Sequence, residues 1–172
     1  MGGGNYVSQA TATAPRPGHI PVAKGTRGGF IFLREPSVPA GYSNTSLAKK
    51  LGVKDAQRTW RLAMPLTVAT GIAAEGVRPI LLEKPVAGLE MAHIFVTRRA
   101  VLAKELARLR KLLAPAGILW VSWPKKAAKL ETDITEDTIR EEALPLGLVD
   151  VKVCAVDATW SGLKLVIRKS ER

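Results

Sequence analysis

"MAHIFVTRRAVLAKELARLRKLLAPAGILWVSW", Met91–Trp123, reads as a strand, a helix and a second strand in one run. Met91–Thr97 is apolar on both sides, as a central parallel strand is. In Arg98–Leu113, the residues Val101, Leu102, Leu106, Leu109, Leu112 and Leu113 fall on one face at about 100° per residue. Lys104, Arg108 and Lys111 form a basic stripe beside that face. Glu105 lies inside the apolar arc, where it either pairs with an arginine or belongs to a site. Ala114-Pro115-Ala116-Gly117 stops the helix, and "GILWVSW" follows as a strand with Trp120 and Ser122 on one face and Val121 and Trp123 on the other. A strand–helix–strand unit implies parallel pairing through a right-handed crossover.

The flanks extend this unit. Downstream, "TEDTIREEALPLG" is a helix capped by Thr135, with Glu136 and Asp137 in its first turn, where acids favour the helix dipole. "LVDVKVCAVD" and "GLKLVIRK" alternate with period two around "ATWS" and form an antiparallel hairpin. Upstream, "SNTSLAKKLG" is a short helix with Ser43, Asn44 and Thr45 as caps and Gly52 as its stop. "RTWRLAMP" (Arg58–Pro65) and "GVRPILLEKP" (Gly76–Pro85) read as strands, with "PLTVATGIAAEG" as the connection between them. The predicted order is strand, strand, strand, helix, strand, helix, strand, strand. This is an α/β, Rossmann-like, mostly parallel sheet with a C-terminal antiparallel hairpin.

Composition sets the frame. Of 172 residues, 47% are hydrophobic and 24% charged, which is enough for one packed domain. The formal net charge of +11 favours an anionic partner: RNA, DNA, an anionic surface or a phosphorylated ligand. Residues 1–41 are a basic tail rich in Gly, Pro, Ala and Thr, with low intrinsic order, and 42–172 form the domain. "FIFL" (Phe30–Leu33) is the tail's one apolar element, able to add as a strand or to dock. The single cysteine, Cys154, sits in an alternating strand as a packing residue and allows no internal disulfide. That points to a cytoplasmic setting. The first 34 residues hold basic residues and no acid, which leaves an organelle matrix as the alternative. "MGGGNY" has Tyr6 where a myristoylation site has Ser or Thr. No apolar run reaches the length of a membrane span.

Two resemblances follow. The segments Met91–Thr97, Arg98–Leu113, Ile118–Trp123, Thr135–Leu144 and Leu148–Arg168 resemble the C-terminal half of class I S-adenosylmethionine-dependent methyltransferases. The phrases "GYSNTSLAKKLGVK", "WVSWPKK", "TEDTIRE" and "GLVDVKVCAVDATWSGLKLV" are similar to a bacterial domain-of-unknown-function family, over Gly41–Arg168. The second family implies no reaction. The first implies a cofactor loop of the acid-x-Gly-x-Gly type after the first strand. Here Gly71 and Gly76 are sparse and no acid stands two residues before either, so no cofactor is predicted and S-adenosylmethionine stands as the alternative. Glu83, at the end of the second strand, falls where the resemblance places a ribose-binding acid.

No catalytic constellation is predicted. His19, His93 and Cys154 lack metal-ligand spacing, and Asp133, Glu136 and Asp137 read as helix capping. The sheet gives a different lead, because ligands bind at the carboxyl ends of parallel strands. Lys84 follows the second strand, Arg98 and Arg99 the third, and Lys125, Lys126 and Lys129 the fourth. These six are the predicted anion-binding residues, with Trp123 and Trp160 as stacking candidates. The expected function is a methyltransferase-like domain that binds RNA or an RNA–protein assembly without methyl transfer. The alternatives are a divergent S-adenosylmethionine- or nucleotide-dependent enzyme, and a structural subunit anchored in a protein complex by residues 1–41.

Overall fold

The structure, a computed structural model, describes residues 45–172. The tail reading, with Phe30–Leu33 and His19, and the caps Ser43 and Asn44 lie outside the described residues. The elements run α1 (Leu47–Leu51), β1 (Arg58–Leu62), α2 (Leu66–Ala74), β2 (Ile80–Leu82), β3 (Leu89–Phe95), α3 (Arg99–Leu112), β4 (Leu113–Pro124), α4 (Glu136–Ala143), β5 (Leu148–Ala155) and β6 (Trp160–Ile167). They build one six-stranded sheet in the order β2-β1-β3-β4-β6-β5. β1 pairs in parallel with β2 and with β3, and β3 with β4; β6 lies antiparallel between β4 and β5. The fold is therefore the predicted Rossmann-like sheet with its antiparallel hairpin.

The two faces carry separate cores. Leu102, Leu106 and Leu109 of α3 and Ile139 of α4 pack on Ala92, Ile94, Leu119, Val121 and Trp123. On the other face, Leu51 of α1 and Val68 and Ile72 of α2 pack on Met91, Phe95 and Trp120. Burial on both faces is why β3 and the second half of β4 are almost wholly apolar. The Trp120 indole also donates Nε1–H to the Leu51 carbonyl at 2.8 Å, which fastens the end of α1 to the central sheet. Gly52 then ends α1 in the left-handed region at φ 74°.

Three expectations are corrected. Leu66–Ala74, read as a connection, is helix α2. It has no side-chain cap and only Val68 and Ile72 buried, four residues apart, so packing against the sheet holds it, not propensity. The second strand shrinks to Ile80–Leu82. The fourth begins at Leu113, four residues early, since α3 ends at Leu112 and Ala114–Gly117 belongs to the strand, with a register shift against β3 between Leu89 and Met91. Gly117 is required there: a Cβ would stand 2.8 Å from the Leu89 carbonyl oxygen and 2.9 Å from that of Ala114. Glu105 is buried, and its Oε2 lies 3.6 Å from Arg108, whose guanidinium stands 5.8 Å above the Trp60 ring. Its arginine partner is thus one turn along the same helix.

The connection from β2 to β3 is unusual. Parallel strands ordinarily need a dozen or more connecting residues. Here Glu83–Gly88 suffices, because β2 is only three residues long and lies beside the start of β1. Arg58 helps close this passage. Its guanidinium donates to the Gly88 carbonyl at 3.3 Å and its backbone N–H to Glu90 Oε2 at 2.7 Å.

Candidate functional site

Because β1, β2, β3 and β4 are parallel, their carboxyl ends share one edge. The chain moves outward from β1 to β2 and returns past β1 to β3, so the strand order reverses between β1 and β3. A crevice at such a reversal is where open α/β sheets hold ligands. Four segments meet it: Ala63–Pro65 after β1, Glu83 and Lys84 after β2, Val96–Arg98 after β3, and Lys125–Ile134 after β4. With neighbouring strands about 4.8 Å apart, the ends of β2 and β4 are about 14 Å apart.

The six predicted cations come to this edge and then divide. Arg98 Nη2 binds Glu131 Oε1 at 2.8 Å. Arg99 binds Glu142 at 2.7 Å and Glu141 at 3.0 Å. The hydrogen bonds to Glu131 and Glu142 raise both guanidinium pKa values above the ordinary arginine value. These pairs exist because the loop after β4 folds back onto the end of β3. Thr132 Oγ1 donates to the Thr97 carbonyl at 2.9 Å, and Asp133 accepts the Arg99 backbone N–H at 2.6 Å, capping α3. Lys125 Nζ donates to the Asp157 carbonyl at 2.6 Å, and Asp157 Oδ1 in turn accepts the N–H groups of Thr159 and Trp160. Lys125 is thereby tied to the hairpin tip. Lys84, Lys126 and Lys129 are exposed and make no ion pair among the described residues.

The aromatic candidates are turned inward. Trp123 is buried in the core under α3 and α4, which cover its side of β4. Trp160 is half-buried and meets Phe95 edge-on, with ring centroids 5.1 Å apart.

A feature outside the predicted set lies under the crevice. Arg61 of β1 sits in register with His93 of β3. Arg61 is half-buried with its pKa lowered by burial, and no acid pairs with it among the described residues. His93 is fully buried and stacked on Phe95; its Nε2 meets Ser122 Oγ at 2.8 Å and its Nδ1 has no partner. Burial first, and the Arg61 charge second, push its pKa down to about 3, so the ring is neutral. Of its two ring nitrogens, one is thus satisfied. The clue to Arg61 was the alternation in "RTWRL", which puts Thr59 and Arg61 on the face opposite Trp60.

A cofactor of the S-adenosylmethionine type would set its ribose at the end of β2 and its methionine part over the turn after β1. Glu83 is exposed at the first position and suits a ribose diol. The turn does not suit the second. Ala63 occupies the left-handed region at φ 49°, where a glycine costs nothing and alanine about 1 kcal/mol. Met64 packs into the core beneath α1 and α2, and Pro65 has no N–H to offer. The residues fit a nucleoside at β2 and not the methionine part, so no methyl-transfer step follows from them. Among the described residues no cluster of His, Cys, Asp or Glu could hold a metal ion, and no helix is long and apolar enough to cross a membrane.

No family model and no curated protein matches the chain. Among solved structures it is similar to an S-adenosylmethionine-dependent methyltransferase of Aquifex aeolicus, at TM-score 0.51 and 13% identity, over 70% of this chain and 88% of that one. It is also similar to fibrillarin of Aeropyrum pernix in complex with S-adenosylmethionine, at TM-score 0.45 and 14% identity, over 70% and 73%. A third likeness, to LepI in complex with S-adenosylmethionine, has TM-score 0.45 and 10% identity and covers 71% of this chain but spans 39% of that one. At 13% identity the first of these likenesses shows the fold alone, a Rossmann-like sheet.

Proposed function

We propose that the domain is a divergent member of this fold that binds a nucleotide in the crevice at the carboxyl ends of β1 to β4. Glu83 accepts the ribose hydroxyls, and Lys84, Lys126 and Lys129 meet the phosphates. The observation that carries this reading is the reversal of strand order between β1 and β3, with an exposed acid ending β2 and unpaired lysines on the same edge. The lysines favour a phosphate-bearing ligand over S-adenosylmethionine, whose methionine part finds no glycine turn here. Titration calorimetry with AMP, ATP and S-adenosylmethionine tests it. The nucleotides bind more tightly; Glu83→Gln weakens every nucleoside ligand; Lys126→Ala with Lys129→Ala weakens only the phosphorylated ones. Tighter binding of S-adenosylmethionine, insensitive to the lysines, would return the domain to methyltransferase chemistry.

A second reading keeps the lysines and changes the ligand to RNA, without methyl transfer; the net charge of +11 favours it. Three lysine–phosphate contacts on a single strand give a log–log salt slope of about −2. A slope near zero with an RNA oligonucleotide removes this reading and leaves the nucleotide.

A further inference from the structure

The opposite edge of the sheet carries its own cavity. It measures about 610 Å³ and is walled by Gly52, Lys54, Gln57, Glu90, Gly117 and Lys164, among others. These residues precede β1, open β3 and β4, and lie on β6, so the cavity is at the amino ends of the parallel strands. It is distinct from the crevice described above.

The charges in this cavity are arranged at a cost. The β5–β6 ladder sets Lys152 directly across from Lys164 on one face of the sheet. Like charges in that position destabilise a ladder. Lys54, in the loop after α1, adds a third positive charge to the same place. Burial, and then Lys152 and Lys54, lower the pKa of the Lys164 ammonium. Lys152 finds an acceptor, the Lys50 carbonyl at 3.1 Å. Among the described residues, the side chains of Lys54 and Lys164 have no hydrogen bond or ion pair. The carboxylates nearby do not relieve them. Asp55 Oδ1 accepts the Arg78 backbone N–H at 2.7 Å and Glu90 Oε2 the Arg58 backbone N–H at 2.7 Å, which leaves each with one oxygen uncommitted. The lining thus holds two ammonium groups and two carboxylate oxygens that no group among the described residues engages. Gly52 and Gly117 contribute no side chain to the lining.

We propose that this cavity binds a small hydroxyl-bearing phosphate ester, with the phosphate between Lys54 and Lys164 and the hydroxyls donating to Glu90 and Asp55. A phosphate oxygen supplies the acceptor that both ammonium groups lack, and its charge offsets the repulsion between Lys152 and Lys164. The spare carboxylate oxygens take hydroxyl donors and turn away a second phosphate, so a monoester is preferred over a polyphosphate. The volume lies within the range of small-molecule sites.

The test uses the full chain in chloride buffer of constant ionic strength, with glycerol 3-phosphate, inorganic phosphate and glycerol as probes. Glycerol 3-phosphate binds at one saturable site in calorimetry and raises Tm, inorganic phosphate does so more weakly, and glycerol not at all. Lys54→Gln and Lys164→Gln each weaken binding roughly ten- to hundredfold, as the loss of one charge-assisted hydrogen bond does. Without ligand, Lys164→Gln melts no lower than the parent, since it removes a repulsion; this shows that lost binding is not lost folding. Absence of saturable binding, or equal stabilisation of the parent and both glutamine variants, would overturn the proposal. So would loss of the signal in Lys126→Ala with Lys129→Ala, which would put the phosphate on the carboxyl edge.

Discussion

One buried ring ties the stability of this domain to acid. His93 is neutral when folded, with a pKa of about 3, and returns to the ordinary 6.5 when the chain unfolds. Its folded pKa is depressed, so below 6.5 the unfolded state binds the extra proton. Stability is full above that pH and falls as pH drops toward the folded value. The whole shift corresponds to roughly 4 to 5 kcal/mol, and about 2.5 kcal/mol of it is lost between pH 7 and pH 4.5. Urea denaturation at those two pH values measures this, with His93→Gln as the reference. Glutamine keeps an amide near Ser122 and does not titrate. The parent loses about 2.5 kcal/mol more than the variant over the interval, whatever the variant's own stability. Contributions common to both proteins cancel in this difference. Equal losses in parent and variant would refute the reasoning, since they would mean that His93 takes its proton without unfolding. Burial is the first cause of the shift and Arg61 the second, so Arg61→Met reduces the extra loss without abolishing it.

Two further predictions concern the strand on which both sites depend. Trp120→Phe leaves the Leu51 carbonyl without its 2.8 Å donor and opens space beneath α1, at a cost of about 2 to 4 kcal/mol in chemical denaturation; an unchanged midpoint would show that the indole bond contributes nothing. Gly117→Ala drives a methyl against two backbone oxygens and costs about 1 to 3 kcal/mol. Gly76→Ala is its control, since open space surrounds that position and only its positive φ is penalised.

The parts of this architecture legible in the sequence are those written in local period. The α3 leucines, the alternation of β5 and β6, and the opposite facing of Trp120 and Trp123 are each set by residues a few positions apart. Helix α2 was hidden because its β-branched residues and Gly71 have weak helical preference and the sheet supplies what they lack. The carboxyl-edge cations were legible because parallel strands fix where loops emerge. Their pairing was not: Arg98 meets Glu131 33 positions away and Arg99 meets Glu142 43 away, through a loop whose return path no periodicity encodes. Trp123 failed as a stacking candidate for a related reason. Alternation separates the two faces of a strand but does not say that helices cover both. Lys54 and Lys164 come from distant segments and repel each other, so no attractive pattern in the sequence announces them.

The six-residue passage from β2 to β3 has a thermodynamic consequence. β2 has three residues and one neighbouring strand, and Ile80 and Leu81 are half exposed, so little buried surface holds it in place. It therefore belongs to the part of the molecule that opens at low free energy, well before the central strands. Glu83 and Lys84 hang directly from it. A ligand grasped by them must also keep β2 closed, and part of its binding free energy is spent on that ordering. Occupancy of the crevice then registers as slowed amide exchange at Ile80–Leu82, in a strand that the ligand need not touch.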